Sequence, residues 1–249
     1  MGAGRLLVVQ HEPDAPAAWL GEWLLAAGLE LDVVRGDLGG VVPERLVHDG
    51  LVVLGGAMGA GDDDRHPWLG PTKALVRDAV DRGAPLLGVC LGHQLAAAAL
   101  GGSVVRNPRG RTLGLVPVRL TDAGRTDPLL AGLGGRPAVH YNDDVVLEPP
   151  PGATVLATLP DGSPQAIRFA DRAWGVQFHP ETPPSVFEAW LRADHAEPSG
   201  PEAAALADVA ASEGVLRAAW RPLADRFAAV VAEARDLTPA PAPAPAPVD

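Results

Sequence analysis

Gly88-Val89-Cys90-Leu91-Gly92 sets the single cysteine of the chain between small residues, in the small-x-nucleophile-x-small form of a nucleophile elbow. The apolar run 86–89 before it reads as a strand, and the alanine-rich run 94–100 after it as a helix. A thiol at such a junction is exposed by the sharp turn. The unpaired N–H groups at the helix start favour thiolate over thiol. A lone cysteine also fits the reading of a small buried hydrophobe.

A cysteine nucleophile needs a base and a group that orients the base. Of the seven histidines, His11, His48, His66 and His195 fall in predicted loops beside Asp, Glu or Pro and read as solvated or capping side chains. His93 follows the elbow and reads as packing or lining a pocket; His140 falls in a polar loop and stays a candidate. His179 ends a predicted strand, 174–178, and is followed by Pro180 and Glu181. Residues two apart in extended chain face the same way. Glu181 is therefore placed to bond one imidazole nitrogen while the other faces a thiol. A surface His/Glu pair of little energetic weight satisfies the same spacing, so the local pattern leaves both readings open.

The elements that must position these groups follow an α/β rhythm. Continuous apolar runs at 6–9, 31–34, 51–54 and 86–89 suit strands covered on both faces. Helices over 17–27 and 71–82 stand between them, ending at Gly28 and Gly83. From about Gly114, strands are predicted at 115–120, 145–147, 154–157, 165–169 and 174–178, then a helix at 184–192. The fold class is α/β, a mostly parallel central sheet flanked by helices, with a more antiparallel second half. Residues 202–236 are alanine-rich and predict two helices broken at Ser212-Glu213-Gly214, with Pro222 kinking or restarting the second. Leu216, Ala219, Trp220, Leu223 and Phe227 give that second helix an apolar face that must rest on the main body or on another subunit. Residues 239–248 alternate Pro and Ala as a tether, a spacer or disordered chain. The expected division is 1–197, 198–237 and 238–249.

Composition narrows the partners. With 249 residues, 47% hydrophobic and 20% charged, the chain is long enough for a sizeable core and needs no disulfide scaffold. Its 20 basic and 31 acidic side chains leave a formal charge of −11, which argues against nucleic acid and against anionic membrane surfaces. The lone cysteine and the lack of an export signal or long apolar run predict a cytoplasmic protein.

Gly88-Val-Cys-Leu-Gly-His-Gln94 and Gly175-Val-Gln-Phe-His-Pro-Glu181 together resemble the two signatures of class I glutamine amidotransferases. The likeness is strongest to the stand-alone group similar to the amidotransferase domain of GMP synthase. It includes Leu54-Gly-Gly-Ala-Met-Gly59, Asp63-Asp64 and His66-Pro67-Trp68-Leu69, and it covers roughly residues 5 to 192. The resemblance implies a flavodoxin-like sheet and hydrolysis of the glutamine side-chain amide through a cysteinyl thioester. In it Cys90 is the nucleophile, His179 the proton carrier and Glu181 its orienter. It further implies oxyanion donors at Leu91 and Gly56, glutamine contacts from Gln94, Met58, Asn142 and Asp143, neither metal nor cofactor, and a synthetase or other ammonia-accepting partner protein. Two segments depart from the family pattern: Tyr141-Asn142-Asp143-Asp144 stands where tryptophan-histidine-x-aspartate is common, and Thr112-Leu113-Gly114 where the first position is often glutamate.

Other motifs carry less. Gly56-Ala-Met-Gly-Ala-Gly61 matches neither glycine-rich phosphate-binding pattern. Asp62-Asp63-Asp64 reads as a solvated loop, since three adjacent carboxylates diverge. Arg106, Arg109 and Arg111 form a basic loop, either solvated or clamping an anionic partner. Two alternatives stand beside glutamine hydrolysis: a γ-glutamyl amide or peptide hydrolase with the same three residues, and a non-catalytic regulatory subunit with the same fold.

Overall fold

The computed structural model describes residues 3–195 and 197–237; the Pro/Ala tail and its expected role lie outside them. The first half alternates strand and helix: β1 (Gly4–Gln10), α1 (Ala18–Ala26), β2 (Leu29–Arg35), β3 (Gly50–Val53), α2 (Leu69–Asp81), β4 (Leu86–Val89) and α3 (Leu91–Ala99). The second half is richer in strands: β5 (Ser103–Arg106), β6 (Thr112–Pro117), β7 (Arg119–Leu120), α4 (Asp122–Thr126), β8 (Pro137–Asn142), β9 (Asp144–Glu148), β10 (Thr154–Thr158), β11 (Pro164–Ala170) and β12 (Ala173–Val176). Three helices close the described residues: α5 (Pro184–Asp194), α6 (Pro201–Ala211) and α7 (Glu213–Leu237).

The main sheet has eight strands in the order β2-β1-β3-β4-β12-β11-β10-β7. Its β2, β1, β3, β4 and β12 run parallel, and β11, β10 and β7 add on antiparallel. This is the mostly parallel sheet that the apolar runs predict. Strands β3, β4 and β12 are buried along their whole length, as continuous Val/Leu runs require when both faces are covered. The central position of β4 and β12 matters most for function. They pair in register through Val176 and Val89, so the residues that follow each strand emerge side by side at one edge of the sheet.

Two expectations are corrected. The single strand 115–120 is two: β6 pairs with β8 in a separate ribbon, while β7 joins the main sheet beside β10. Pro117 has no N–H for a ladder, and Val118 turns aside to bond Arg136 and Gly135. His140 lies on β8 and not in a polar loop; its Nε2 meets Gln165 Oε1 at 2.9 Å and its Nδ1 meets Ala138 O at 3.1 Å inside the core.

The apolar face of the last helix rests on the body of the same chain. Trp220 packs on Phe178 with ring centroids 4.6 Å apart and donates to Pro137 O at 2.8 Å. Leu216, Leu223, Phe227 and Val231 belong to the core cluster that holds Trp19, Leu24 and Trp174. Helix α7 continues through Pro222 without restarting, and Arg136 donates to Ala219 O in the turn that the proline loosens.

Candidate active site

Cys90 joins β4 to α3 with φ 49° and ψ −106°, a left-handed conformation that costs a non-glycine residue on the order of 1–3 kcal/mol. Packing imposes it. Cys90 N donates to Val176 O at 2.8 Å, tying the elbow to β12, and Gly92 N donates to Leu54 O at 3.1 Å, tying it to the end of β3. The flanking glycines are demanded by space: a Cβ on Gly88 would stand 2.6 Å from Gly92 O, and one on Gly92 would run into Val53 O. Leu91 opens α3, so its N–H belongs to the first turn, where no intrahelical acceptor exists.

His179 follows β12 and is fixed by its N–H to Val139 O at 2.8 Å, a bridge to β8. Its Nδ1 meets Glu181 Oε1 at 2.7 Å, and the ring lies near enough to Cys90 to feel the charge of its sulfur. Both side chains of the His179–Glu181 pair are 4% exposed, so this is a buried, oriented pair and not the surface alternative. Burial disfavours the imidazolium, but the Glu181 carboxylate and the Cys90 sulfur outweigh it and hold the His179 pKa up, to about 10. The indole of Trp190 covers the imidazole.

The turn after β3 forms the opposite wall. A Cβ at Gly55 would lie 3.1 Å from His179 Cε1 and 3.6 Å from Cys90 Cβ, so this backbone runs directly beside both groups. Gly56 packs against Leu91, His11 and Met58. Ala57 N donates to Glu12 Oε1 at 3.0 Å, and Gly59 N to Asp62 Oδ2 at 2.8 Å. Against the reading of a solvated loop residue, His11 is fully buried under this turn, accepting from Trp68 Nε1 at 3.1 Å, and burial pushes its pKa down to about 4. His48 bonds Asp32 at 2.8 Å from a largely buried position. His93 packs on Phe169 and against Gly175, and burial takes its pKa down to about 3.

Cys90 and His179 open into a cavity of about 550 Å³ whose lining includes Gly56, Met58, Gln94, Asn142 and Asp143. Leu91 and Glu181 stand behind that lining. Gln94 reaches the cavity, yet its Nε2 donates within the protein, to Gln177 Oε1 at 3.1 Å and to Asp144 O at 3.0 Å. Asn142 gives its Nδ2 to Asp144 O at 3.0 Å; its buried Oδ1 has no partner among the described residues. Asp143 is gripped at the rim by Arg111, at 3.0 and 2.7 Å, and Arg111 also meets Tyr141 and Asp194. Arg106 faces Asp143 and Asp144, and Arg109 faces Asp161, so the three arginines engage the chain's own carboxylates. Asp62 and Asp63 are likewise paired, with Arg65 and Lys73. Among the described residues no three His, Cys, Asp or Glu side chains gather as a metal site would require, and no helix is long and apolar enough to cross a membrane.

The sequence does not single out Glu12, Trp190 or Gln177. Glu12 and Trp190 carry no local signal, since one sits in a loop and the other reads as core. Gln177 does: an amide inside the apolar strand Trp174-Gly-Val-Gln-Phe178 has to be satisfied by something.

The sequence and the fold are shared with known proteins. Residues 18–196 match the family described as glutamine amidotransferase class-I. The chain is similar to the glutamine-hydrolyzing GMP synthase of Aeropyrum pernix, 41% identical over 133 residues; the match takes in 52% of this chain and spans only 24% of that protein. It is 30% identical over 186 residues to the glutamine amidotransferase-like protein YfeJ of Salmonella typhimurium, covering 71% of this chain and 75% of that one. A crystal structure of a glutamine amidotransferase from Thermotoga maritima superposes with a TM-score of 0.80 over 92% of this chain and 99% of that one; at 23% identity the likeness is one of fold.

Proposed function

Because the chain belongs to the class I glutamine amidotransferase family, we propose that it hydrolyses the side-chain amide of glutamine at Cys90, giving glutamate and ammonia. The observation that carries this reading is an imidazole that opens into the same cavity as Cys90, beside the same Gly55 backbone, with its Nδ1 bonded at 2.7 Å to a buried carboxylate. Nδ1 being engaged, Nε2 is the nitrogen left for the sulfur.

Cys90 passes its proton to His179 Nε2 and attacks the amide carbon as thiolate. The negative oxygen of the tetrahedral intermediate is met by the N–H groups of Leu91 and Gly56, donors worth about 3 kcal/mol each where they act on developing charge. The imidazolium returns the proton to nitrogen as the C–N bond breaks, so ammonia departs and a γ-glutamyl thioester remains. Neutral His179 then takes a proton from water as it adds to the thioester, and glutamate leaves with Cys90 restored. Glu181 holds the ring and balances its charge throughout. Met58, Gln94, Asn142 and Asp143 hold the substrate, with Asn142 Oδ1 accepting one of its N–H groups. The ammonia goes to an acceptor on a synthetase partner, in a cytoplasmic setting that keeps the thiol reduced.

Incubation of the protein with glutamine should release ammonia and glutamate in equal amounts. Cys90→Ala should abolish release while leaving the unfolding transition in place, and Glu181→Gln should lower kcat on the order of 10²–10⁴-fold. Unchanged turnover in folded Cys90→Ala would refute the mechanism. Release of amine from γ-glutamyl amides with none from glutamine would reassign the substrate, and silence toward both alongside a stable partner complex would favour the regulatory role.

A further inference from the structure

Gln177 is wholly buried between β12 and His179, and its amide Nε2 lies 3.5 Å from Cys90 Sγ. Its Oε1 accepts from Gln94 Nε2 at 3.1 Å, and the same Gln94 nitrogen donates to the Asp144 backbone carbonyl at 3.0 Å. The carbonyl decides the orientation of the whole chain of amides. A carbonyl oxygen only accepts, so Gln94 must present its NH2; that NH2 must meet the oxygen of Gln177; and the Gln177 NH2 is thereby turned to the sulfur. Flipping Gln177 alone would set two NH2 groups against each other. Flipping both would set two oxygens against each other at Asp144.

We propose that Gln177 is a further catalytic residue, whose amide N–H, pinned by Gln94 and the Asp144 carbonyl, stabilises the Cys90 thiolate and holds the sulfur in its attacking position. The proposal rests on Cys90 being the nucleophile of the reaction proposed above. A charged acceptor strengthens a hydrogen bond, so the thiolate gains more from this N–H than the thiol does. The helix start and His179 supply positive potential from two other sides. The titratable groups around the sulfur are His179, with Glu181 behind it. His93 of α3 turns away to Phe169 and Gly175, and the Asp144 side chain lies on the cavity wall near Arg106.

Cys90 is the single cysteine in 249 residues, so alkylation by iodoacetamide reports its ionisation alone and without turnover. In Gln177→Met, which keeps the length of the side chain and removes the donor, the pH midpoint of alkylation should rise by about one unit. At neutral pH kcat should fall roughly tenfold, with KM nearly unchanged. Gln177→Glu, close in shape, should raise the midpoint further by placing a carboxylate beside the sulfur, and it serves if the Met variant does not fold. A merely structural role would lower the melting temperature and leave the midpoint in place; an unshifted midpoint in a folded variant overturns the proposal. A shifted midpoint in a protein that hydrolyses no glutamine would instead refute the proposed activity, and with it the catalytic role of Gln177, while leaving its stabilisation of the Cys90 thiolate standing.

Discussion

The indole of Trp190 lies against the imidazole of His179, ring centroids 4.5 Å apart and planes inclined at 53°. Trp190 Nε1 donates to Asp14 O at 2.7 Å, and Tyr141 stacks on the indole, centroids 6.0 Å apart. Glu181 fixes one edge of the imidazole by a hydrogen bond, and Trp190 restrains its tilt by packing. Trp190→Ala should therefore lose about 3–5 kcal/mol of stability in chemical denaturation and lower kcat by at least roughly tenfold, the price of a misaligned ring. Trp190→Phe keeps an aromatic face and loses only the indole bond, about 1 kcal/mol, so most of the turnover should survive. Full turnover in the Ala variant would remove Trp190 from the support of the His179 ring.

Cys90 stores strain at φ 49° whatever its chemistry. Cys90→Ala keeps the strained backbone, whereas Cys90→Gly relieves it at the cost of added freedom in the unfolded chain. The difference should leave Cys90→Gly more stable than Cys90→Ala by about 1 kcal/mol. Both variants should be inactive, so denaturation midpoints decide the matter; equal midpoints would mean that the elbow is unstrained.

Much of this is legible in the sequence because the relevant signals are local. The elbow is written in five consecutive residues, and His179 and Glu181 share a side through the two-residue period of extended chain. The parallel strands are continuous apolar runs. What escaped depends on distant pairing. Strand β5 offers only Val104 and Val105 as apolar positions, and β8 reads Pro-Ala-Val-His-Tyr-Asn. Each becomes a strand by finding a partner, β9 for the first and β6 for the second, and His140 is buried by that pairing. His11 looks like a loop residue because its neighbours Gln10, Glu12 and Asp14 are polar; the 55–59 turn and Trp68 close over it from elsewhere in the chain.

Three buried histidines make stability depend on pH. Burial lowers His11 to about 4, His93 to about 3 and His140 to about 4, all below the value of about 6.5 in the unfolded chain. As pH falls through 6.5 the unfolded chain takes up protons that the folded one refuses, so stability present at neutral pH is lost on acidification. With three sites the slope should approach about 4 kcal/mol per pH unit near pH 5. His179 works in the other direction. Its pKa is raised to about 10, so its contribution is complete below about 6.5 and fades as pH climbs from there to 10. Urea unfolding across pH 4.5 to 10 should peak near neutrality, and His140→Gln should flatten the acid limb by about one proton. A level acid limb would contradict the burial of these rings as neutral species.

Trp220 makes α7 part of the support of the site. Its ring packs on Phe178, the residue immediately before His179, and its Nε1 bonds Pro137 O at the start of β8, the strand that receives the His179 N–H at Val139. The imidazole is thus held on one side by Trp190 and Glu181, while its backbone is backed by α7 and β8. Trp220→Ala should cost about 3–5 kcal/mol in denaturation, and kcat should fall as Phe178 loses its backing. An arm that merely docked a partner would behave differently: the substitution would leave the unfolding transition and glutamine turnover of the isolated protein untouched. Measuring both on one preparation separates the two roles, because only an internal buttress lets a side chain in α7 alter the setting of an imidazole more than forty positions earlier.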